Sequence, residues 1–257
     1  ILRCLVGSEM CIRDRLPLWA PAAVLDGIEI RVSTREGGVS LSPYDSLNLA
    51  DHVGDKAESV DENRRRLAEA LPGHAVCWLN QVHGVSAVEA APGVVPDADA
   101  HWTAARNLPL AVLTADCLPV VLMARDASCV GIAHAGWRGL AAGVLESLLA
   151  AMPAEPASIT AWLGPAISAG AYEVGPEVKT AFEQRCGEES GDCFHPSHRQ
   201  GHWMADLSAL ARLRLTREGV SEITGGGRCT VGEQDHFFSH RREGPATGRM
   251  ATLVWLS

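Results

Sequence analysis

Short apolar runs dominate the chain, and most are continuous rather than alternating. Ile28–Ser33, Val76–Gln81, Val85–Glu89, Leu110–Thr114, Val120–Met123, Cys129–Ala133, Ile159–Leu163 and Thr252–Leu256 are rich in Val, Ile or Leu and read as strands. A strand that is apolar at successive positions has both faces covered. Longer amphipathic stretches predict helices over Ser59–Leu71, Leu140–Met152, Pro176–Arg185 and Asp206–Gly219. Ser59 with Glu62 has the spacing of a capping box, Pro176 suits a first helical position, and Asp206 suits an N-cap. Leu207, Leu210, Ala211 and Leu213 share one helical face, and Gly219 stands where a C-terminal cap belongs. Helices do not alternate strictly with strands, so the expected architecture is α+β: one domain with mixed β-sheets flanked by helices.

Composition narrows the class. The 257 residues are 47% hydrophobic and 21% charged, which is globular rather than disordered. The net charge of -9 argues against nucleic-acid and anionic-membrane partners. No apolar run approaches the roughly 20 residues of a membrane span. Neither GxGxxG nor GxxxxGK[ST] occurs, so nothing points to a dinucleotide or P-loop site. No internal repeat or linker interrupts the chain, which reads as one domain over residues 16–257. Residues 1–15 stand apart: the run from Val6 to Arg15 resembles the translation of a sequencing adapter, and this segment is expected to be non-native. Of eight cysteines, Cys4 and Cys11 fall in it. The remainder form no CxxC pair and, with no secretion signal, read as reduced and cytoplasmic.

Three segments share one design, an apolar strand running into a polar turn. They are Trp78-Leu79-Asn80-Gln81-Val82-His83-Gly84, Leu113-Thr114-Ala115-Asp116-Cys117-Leu118-Pro119 and Ile132-Ala133-His134-Ala135-Gly136-Trp137-Arg138-Gly139. Each offers a borderline or soft metal ligand at a strand end, where the strand fixes the backbone and the loop stays open. Two imidazoles and a thiolate suit Zn²⁺ with one position left open. By spacing alone, one buried cysteine and two surface histidines remain the commoner explanation of such a trio. Arg138 precedes the helix expected from Leu140 and is a candidate for phosphate, as are Arg241 and Arg242. Asp116 is a candidate carboxylate for orienting a ligand histidine. His195, His198 and His202 read as a surface loop.

The order of motifs resembles the laccase-domain family, polyphenol oxidase-like proteins associated with purine nucleoside phosphorylase activity. The similarity runs from Thr34-Arg35-Glu36-Gly37-Gly38-Val39-Ser40 and Ser46-Leu47-Asn48-Leu49, through the three segments above, to Phe237-Phe238-Ser239-His240-Arg241-Arg242 and Thr247-Gly248-Arg249-Met250. The resemblance implies that His83, Cys117 and His134 are the zinc ligands and the catalytic centre. It also implies a substrate-binding role for the loop carrying Arg35 and Asn48, beside Arg138. The implied activity is zinc-dependent phosphorolysis of adenosine, inosine, guanosine and methylthioadenosine, with deamination of adenosine; the partners are these nucleosides and phosphate. Copper is possible at the same ligands, and a copper-dependent polyphenol oxidase is one alternative, although a multicopper oxidase needs paired histidine motifs and no HxH pair occurs. A thiol hydrolase with Cys117 as nucleophile and His134 or His83 as base is the second alternative, and a non-catalytic nucleotide-binding module the third.

Deleting residues 1–15 is expected to move the melting temperature by less than about 2 °C, because a non-native segment contributes no packing. A loss of several degrees, measured by thermal unfolding of the shortened and full chains, would show instead that the segment belongs to the fold.

Overall fold

The computed structural model describes residues 16–22 and 24–257. The segment expected to be non-native lies outside the described residues. Among the described residues the strands are β1 (Leu18–Trp19), β2 (Ile28–Ser33), β3 (Ala87–Glu89), β4 (Ala100–Thr103), β5 (Leu110–Thr114), β6 (Leu118–Ala124), β7 (Val130–Ala135) and β8 (Ile159–Leu163). They continue with β9 (Glu173–Val174), β10 (Phe194–Pro196), β11 (Trp203–Ala205), β12 (Glu222–Gly225) and β13 (Met250–Leu256). The α-helices are α1 (Ala57–Glu69), α2 (Trp137–Ala142), α3 (Val144–Ala151), α4 (Pro176–Cys186), α5 (Leu207–Arg217) and α6 (His240–Glu243).

The strands form three sheets, and the architecture is the expected α+β. One sheet has the order β1-β2-β13-β5 and is antiparallel throughout. A second has the order β12-β8-β6-β7-β4-β3 and is mixed, its outer pairs β12–β8 and β3–β4 being parallel. A small third sheet, β10-β11-β9, closes one end.

Period-two alternation explains how continuous apolar strands stack into layers. Ile28, Ile30, Val112 and Val254 of the four-stranded sheet meet Val121, Met123, Ile132 and Trp162 of the six-stranded sheet. The intervening residues Val120, Leu122, Ala133 and Ala161 turn the other way, under Leu140, Leu148, Val178 and Leu210 of the helices. On the outer face of the first sheet, Ala111, Leu113 and Leu253 pack against Leu47, Leu49 and Leu67. Both sheets are therefore covered on both faces, as the lack of alternation requires.

Several expectations need correction. Val76–Gln81 is not a strand; it touches its neighbours only through single bridges, Cys77 to Leu110 and Asn80 to Asp97. The Gln81 side chain completes the pairing instead, donating to the Leu113 carbonyl at 2.8 Å and accepting from its N–H at 2.7 Å. The helix expected over Leu140–Met152 is two helices broken at Gly143, whose φ of 115° is open to glycine at little cost. The Arg214 guanidinium reaches the Ala141 carbonyl at 3.1 Å and Glu146 at 2.6 Å across that break. α1 starts before Ser59, so no capping box forms and Glu62 pairs with Arg65 and Arg66. Asp206 does cap α5, accepting from the Ala209 N–H at 2.9 Å.

Glu243 ties the C-terminal loop to the N-terminal one. It accepts from Arg35 and Arg242, each at 2.8 Å, and from Thr247. Burial pushes its carboxyl up, but these donors outweigh it and hold the pKa at about 2 against the usual 4.5. A depressed carboxyl stabilises the fold above its unfolded pKa, and that contribution is lost as pH falls from about 4.5 through about 2. Glu243→Gln is expected to cost about 1–3 kcal/mol at pH 7, a drop of a few degrees in melting temperature. Thermal melts should show the deficit narrowing towards pH 2.5, and a deficit independent of pH would refute the assignment.

Candidate metal centre

Three chain segments converge where the two large sheets meet. The chain leaves the four-stranded sheet at Thr114 and enters the six-stranded sheet at Leu118, so Cys117 sits on the crossover. Asp116 makes that crossover possible with φ of 91°, a conformation that non-glycine residues rarely hold without compensation. Its carboxylate supplies the compensation, accepting from Thr230 Oγ1 and from the Arg241 N–H, both at 2.6 Å. His134 lies in β7 opposite Pro119 of β6, two residues beyond Cys117. His83 follows the Gln81 anchor and also takes a left-handed conformation, φ 59°.

The ligand atoms of His83, Cys117 and His134 lie within 4.8 Å of one another. The two imidazole rings meet edge to face, with centroids 4.8 Å apart. His134 is buried, Cys117 half-buried and His83 exposed, so the trio has one open side. Gly136 forms the floor: a Cβ there would stand 3.1 Å from Cys117 Sγ and 3.2 Å from His83. Gly139 brings α2 against the His83 loop, since a Cβ would fall 2.7 Å from the Gly84 carbonyl. Two nitrogens and a sulfur around a cradle kept clear by glycine fit one metal ion, for which tetrahedral donors sit roughly 3.3–3.8 Å apart.

The carboxylate that orients the histidines is Asp99, not Asp116. Asp99 is fully buried just before β4. Its carboxylate accepts from the N–H groups of Val82 at 3.2 Å, His83 at 3.0 Å and Gly84 at 2.6 Å. It lies 2.8 Å from Nδ1 of His134, and its carbonyl accepts the His134 N–H at 2.7 Å. One side chain thus holds the strained His83 loop and directs the Nε2 of His134 towards the other ligands. Burial works against charge on Cys117, yet the His134 imidazolium and the two histidine hydrogen bonds draw its thiol well below the usual range. Burial likewise lowers the His134 pKa, but Cys117 and Asp99 outweigh it and raise it. The two shifts have one cause, the closeness of Cys117 to His134, and they favour the thiolate form that a metal ligand needs.

A cavity of about 400 Å³ opens over the trio. Apolar Leu113, Ile167 and Leu207 line it with Trp137 and Tyr172, and Arg138, Arg241 and Arg249 supply positive charge. Arg138 lines the cavity, its guanidinium stacked over Trp137 at 4.4 Å, but it lies within α2 and not ahead of it. Its helix begins at Trp137 rather than Leu140, which is buried. Arg35 and Asn48 are not brought to the cavity wall. Arg35 is held by Glu243 and stacks over Phe238 at 4.7 Å. Asn48 is buried, bonded to the backbone of Ala50 and Arg249 and to Asp55. Arg242 is spent on the carbonyls of Thr230, Val231 and Phe237. His195 and His198 are exposed and His202 half-buried in and around the β10–β11 hairpin, away from the trio. Asp99 and Arg249 were not singled out from sequence; Asp99 reads as one polar residue in a loop, and only its contacts reveal it.

The sequence model described as multi-copper polyphenol oxidoreductase laccase matches residues 29–257. The chain belongs to that family. A purine nucleoside phosphorylase from Pseudomonas aeruginosa is 48% identical over 241 residues, covering 93% of this chain and 97% of its own. The purine nucleoside phosphorylase YfiH of Escherichia coli is 47% identical over 234 residues, covering 90% and 94%. Among solved structures, a Neisseria meningitidis protein superposes with a TM-score of 0.88 at 47% identity, covering 95% of this chain and 99% of that one. YlmD from Geobacillus stearothermophilus gives 0.84 at 32% identity, covering 94% and 99%. The family therefore carries two descriptions, oxidase and phosphorylase, and the donor set must decide between them.

Asp99→Asn is expected to weaken zinc binding about 10–100-fold, because an amide cannot accept from three N–H groups and His134 together. Competition with a chromophoric chelator measures this. Unchanged affinity would remove Asp99 from the account.

Proposed function

We propose that the protein is a zinc-dependent purine nucleoside phosphorylase acting on adenosine, inosine, guanosine and methylthioadenosine, with deamination of adenosine as a second activity. The observation carrying this reading is the convergence of His83, Cys117 and His134 on one open cradle beneath a cavity that combines aromatic and cationic walls. The names of the close relatives support the phosphorylase side. Against four-copper chemistry stands the ligand supply: among the described residues this trio is the one cluster able to hold a metal. Copper could occupy it singly.

Zinc at this trio would supply Lewis-acid polarisation of an oxygen or nitrogen at the cavity floor. The chain's own residues do the rest. Trp137 and Tyr172 offer faces to a purine, and the apolar wall excludes water from it. Arg138 attracts phosphate to the mouth. One phosphate oxygen then bonds to the anomeric carbon as the carbon–nitrogen bond breaks; its electrons leave with the base, and the proton carried in on phosphate ends on the departing nitrogen. In deamination, water adds to the purine ring and ammonia departs. Arg35 and Asn48 act from behind the wall by fixing the loops that carry it. The six cysteines among the described residues are all free, which supports a cytoplasmic setting. None of the helices described is long and apolar enough to cross a membrane.

A thiol hydrolase keeps one specific observation in its favour, the placement of Cys117 beside two histidines whose hydrogen bonds and charge draw its thiol pKa down. Metal dependence separates the two. Purified protein should contain about one zinc per chain and release adenine and ribose 1-phosphate from adenosine, saturably in phosphate. Cys117→Ser should lower that rate by about 10²-fold or more. Activity that survives chelation but not Cys117→Ser would favour the hydrolase; base release indifferent to phosphate and chelator would end the phosphorylase reading.

A further inference from the structure

The cavity contains a cation that has no ion-pair partner among the described residues, its nearest negative groups being Asp116 and Cys117. Arg249 is half-buried, directly before β13. The arginines Arg35, Arg64, Arg214, Arg228 and Arg242 each have a carboxylate within ion-pair distance. Among the described residues Arg249 has none. Its Nη1 donates to the carbonyls of Thr247 at 2.7 Å and Gly248 at 3.0 Å. Those bonds fix the plane of the guanidinium and leave the edge formed by Nε and Nη2 without an acceptor among the described residues. A half-buried guanidinium edge at a cavity wall with no acceptor there is a place where an anion can complete the site.

The backbone at this position is held from both sides. The Arg249 N–H donates to Asn48 Oδ1 at 3.0 Å, and its carbonyl accepts the Leu49 N–H at 3.3 Å. Met250 pairs with Thr114, which puts Arg249 beside the crossover that carries Cys117. The other cavity arginines are less suited. Arg241 spends both terminal nitrogens on the carbonyls of Ala171 and Glu173, and Arg138 is exposed on Trp137.

We propose that the Nε and Nη2 edge of Arg249 receives the inorganic phosphate co-substrate, two parallel N–H groups meeting two oxygens of a tetrahedral oxyanion, with Asn48 as the residue that positions Arg249. The proposal rests on the phosphorylase reading for the identity of the anion. It gives Asn48, buried away from the cavity, a part in the site: its side-chain oxygen sets where the arginine stands.

The test uses the full-length, zinc-loaded protein and its Arg249→Gln and Arg249→Lys variants. Arg249→Gln should raise the KM for phosphate about 10–100-fold and change the KM for adenosine far less, with Arg249→Lys between parent and Gln. A purely structural role would move both constants together, and that outcome overturns the proposal, as does an unchanged phosphate KM. Thermal shift with inorganic phosphate and no nucleoside gives a readout independent of turnover: phosphate should stabilise the parent and not Arg249→Gln. If base release by the parent proves independent of phosphate, the phosphorylase reading fails, while the thermal-shift comparison still decides whether Arg249 binds phosphate. Adenosine 5′-monophosphate stabilising the parent through Arg249 where inorganic phosphate does not would place the arginine against a nucleotide's own phosphate and overturn the assignment.

Discussion

The hydrogen bonds converging on the Asp99 carboxylate are the constraint on which the site depends. Three consecutive N–H groups, those of Val82, His83 and Gly84, point at one buried anion. That arrangement bends the loop and keeps His83 at positive φ. Left without the carboxylate, those part-buried donors would lose their common acceptor, at about 0.5–1.5 kcal/mol each, and the loop its reason to bend. The same anion faces His134, so two ligands from segments far apart in sequence share one reference point. Asp116 repeats the device on the third ligand. Its carboxylate gathers Thr230 and the Arg241 N–H and stabilises the turn that presents Cys117. The geometry of the trio is therefore set from behind, by two carboxylates that do not belong to it.

The layers make this possible. A crossover between two sheets, each buried on both faces, cannot drift, because every neighbouring residue is committed to a packed layer. Cys117 inherits that rigidity from β5 and β6. The polar loops outside the layers are fastened by buried amides rather than by apolar contact. Asn63 donates to Ser40, Ser46 and Asn48 and accepts from the Val39 N–H. Asn48 passes the restraint to Arg249. Removing one member of such a network leaves the others short of partners, so its elements hold or fail together.

Apolar strands were legible in the sequence because composition and fold agree there. Ile28–Ser33, Leu110–Thr114 and Ile159–Leu163 fall at the expected residues. β4 was not legible: His101 and Thr103 look like loop residues and are buried. β9 to β12 are short, and all but β11 carry polar or glycine residues, so their pairing is decided by tertiary contacts. Val76–Gln81 shows the converse, an apolar run that meets its neighbours through two isolated bridges and a side-chain amide instead of a continuous ladder. The one-helix expectation after His134 failed at Gly143 because a single glycine in an apolar stretch does not reveal whether its φ is positive. The three candidate ligands were recognisable through the family resemblance. The places of Asp99 and Arg249 needed coordinates, since they are set by contacts with segments distant in sequence.

Charge gives the last link between fold and chemistry. A protein of net charge -9 should repel phosphate and nucleotide anions at long range. Screening limits that repulsion to about 8 Å at physiological ionic strength, so within the cavity the nearest groups decide. Those groups are Arg138, Arg241 and Arg249, which outnumber the one carboxylate in the lining, that of Asp116; of the three only Arg249 is half-buried, so its field is the least weakened by water. The acidic surface and the cationic cavity are thus compatible. On the phosphorylase reading, the anion that the cavity takes is small enough to leave the surface behind and enter.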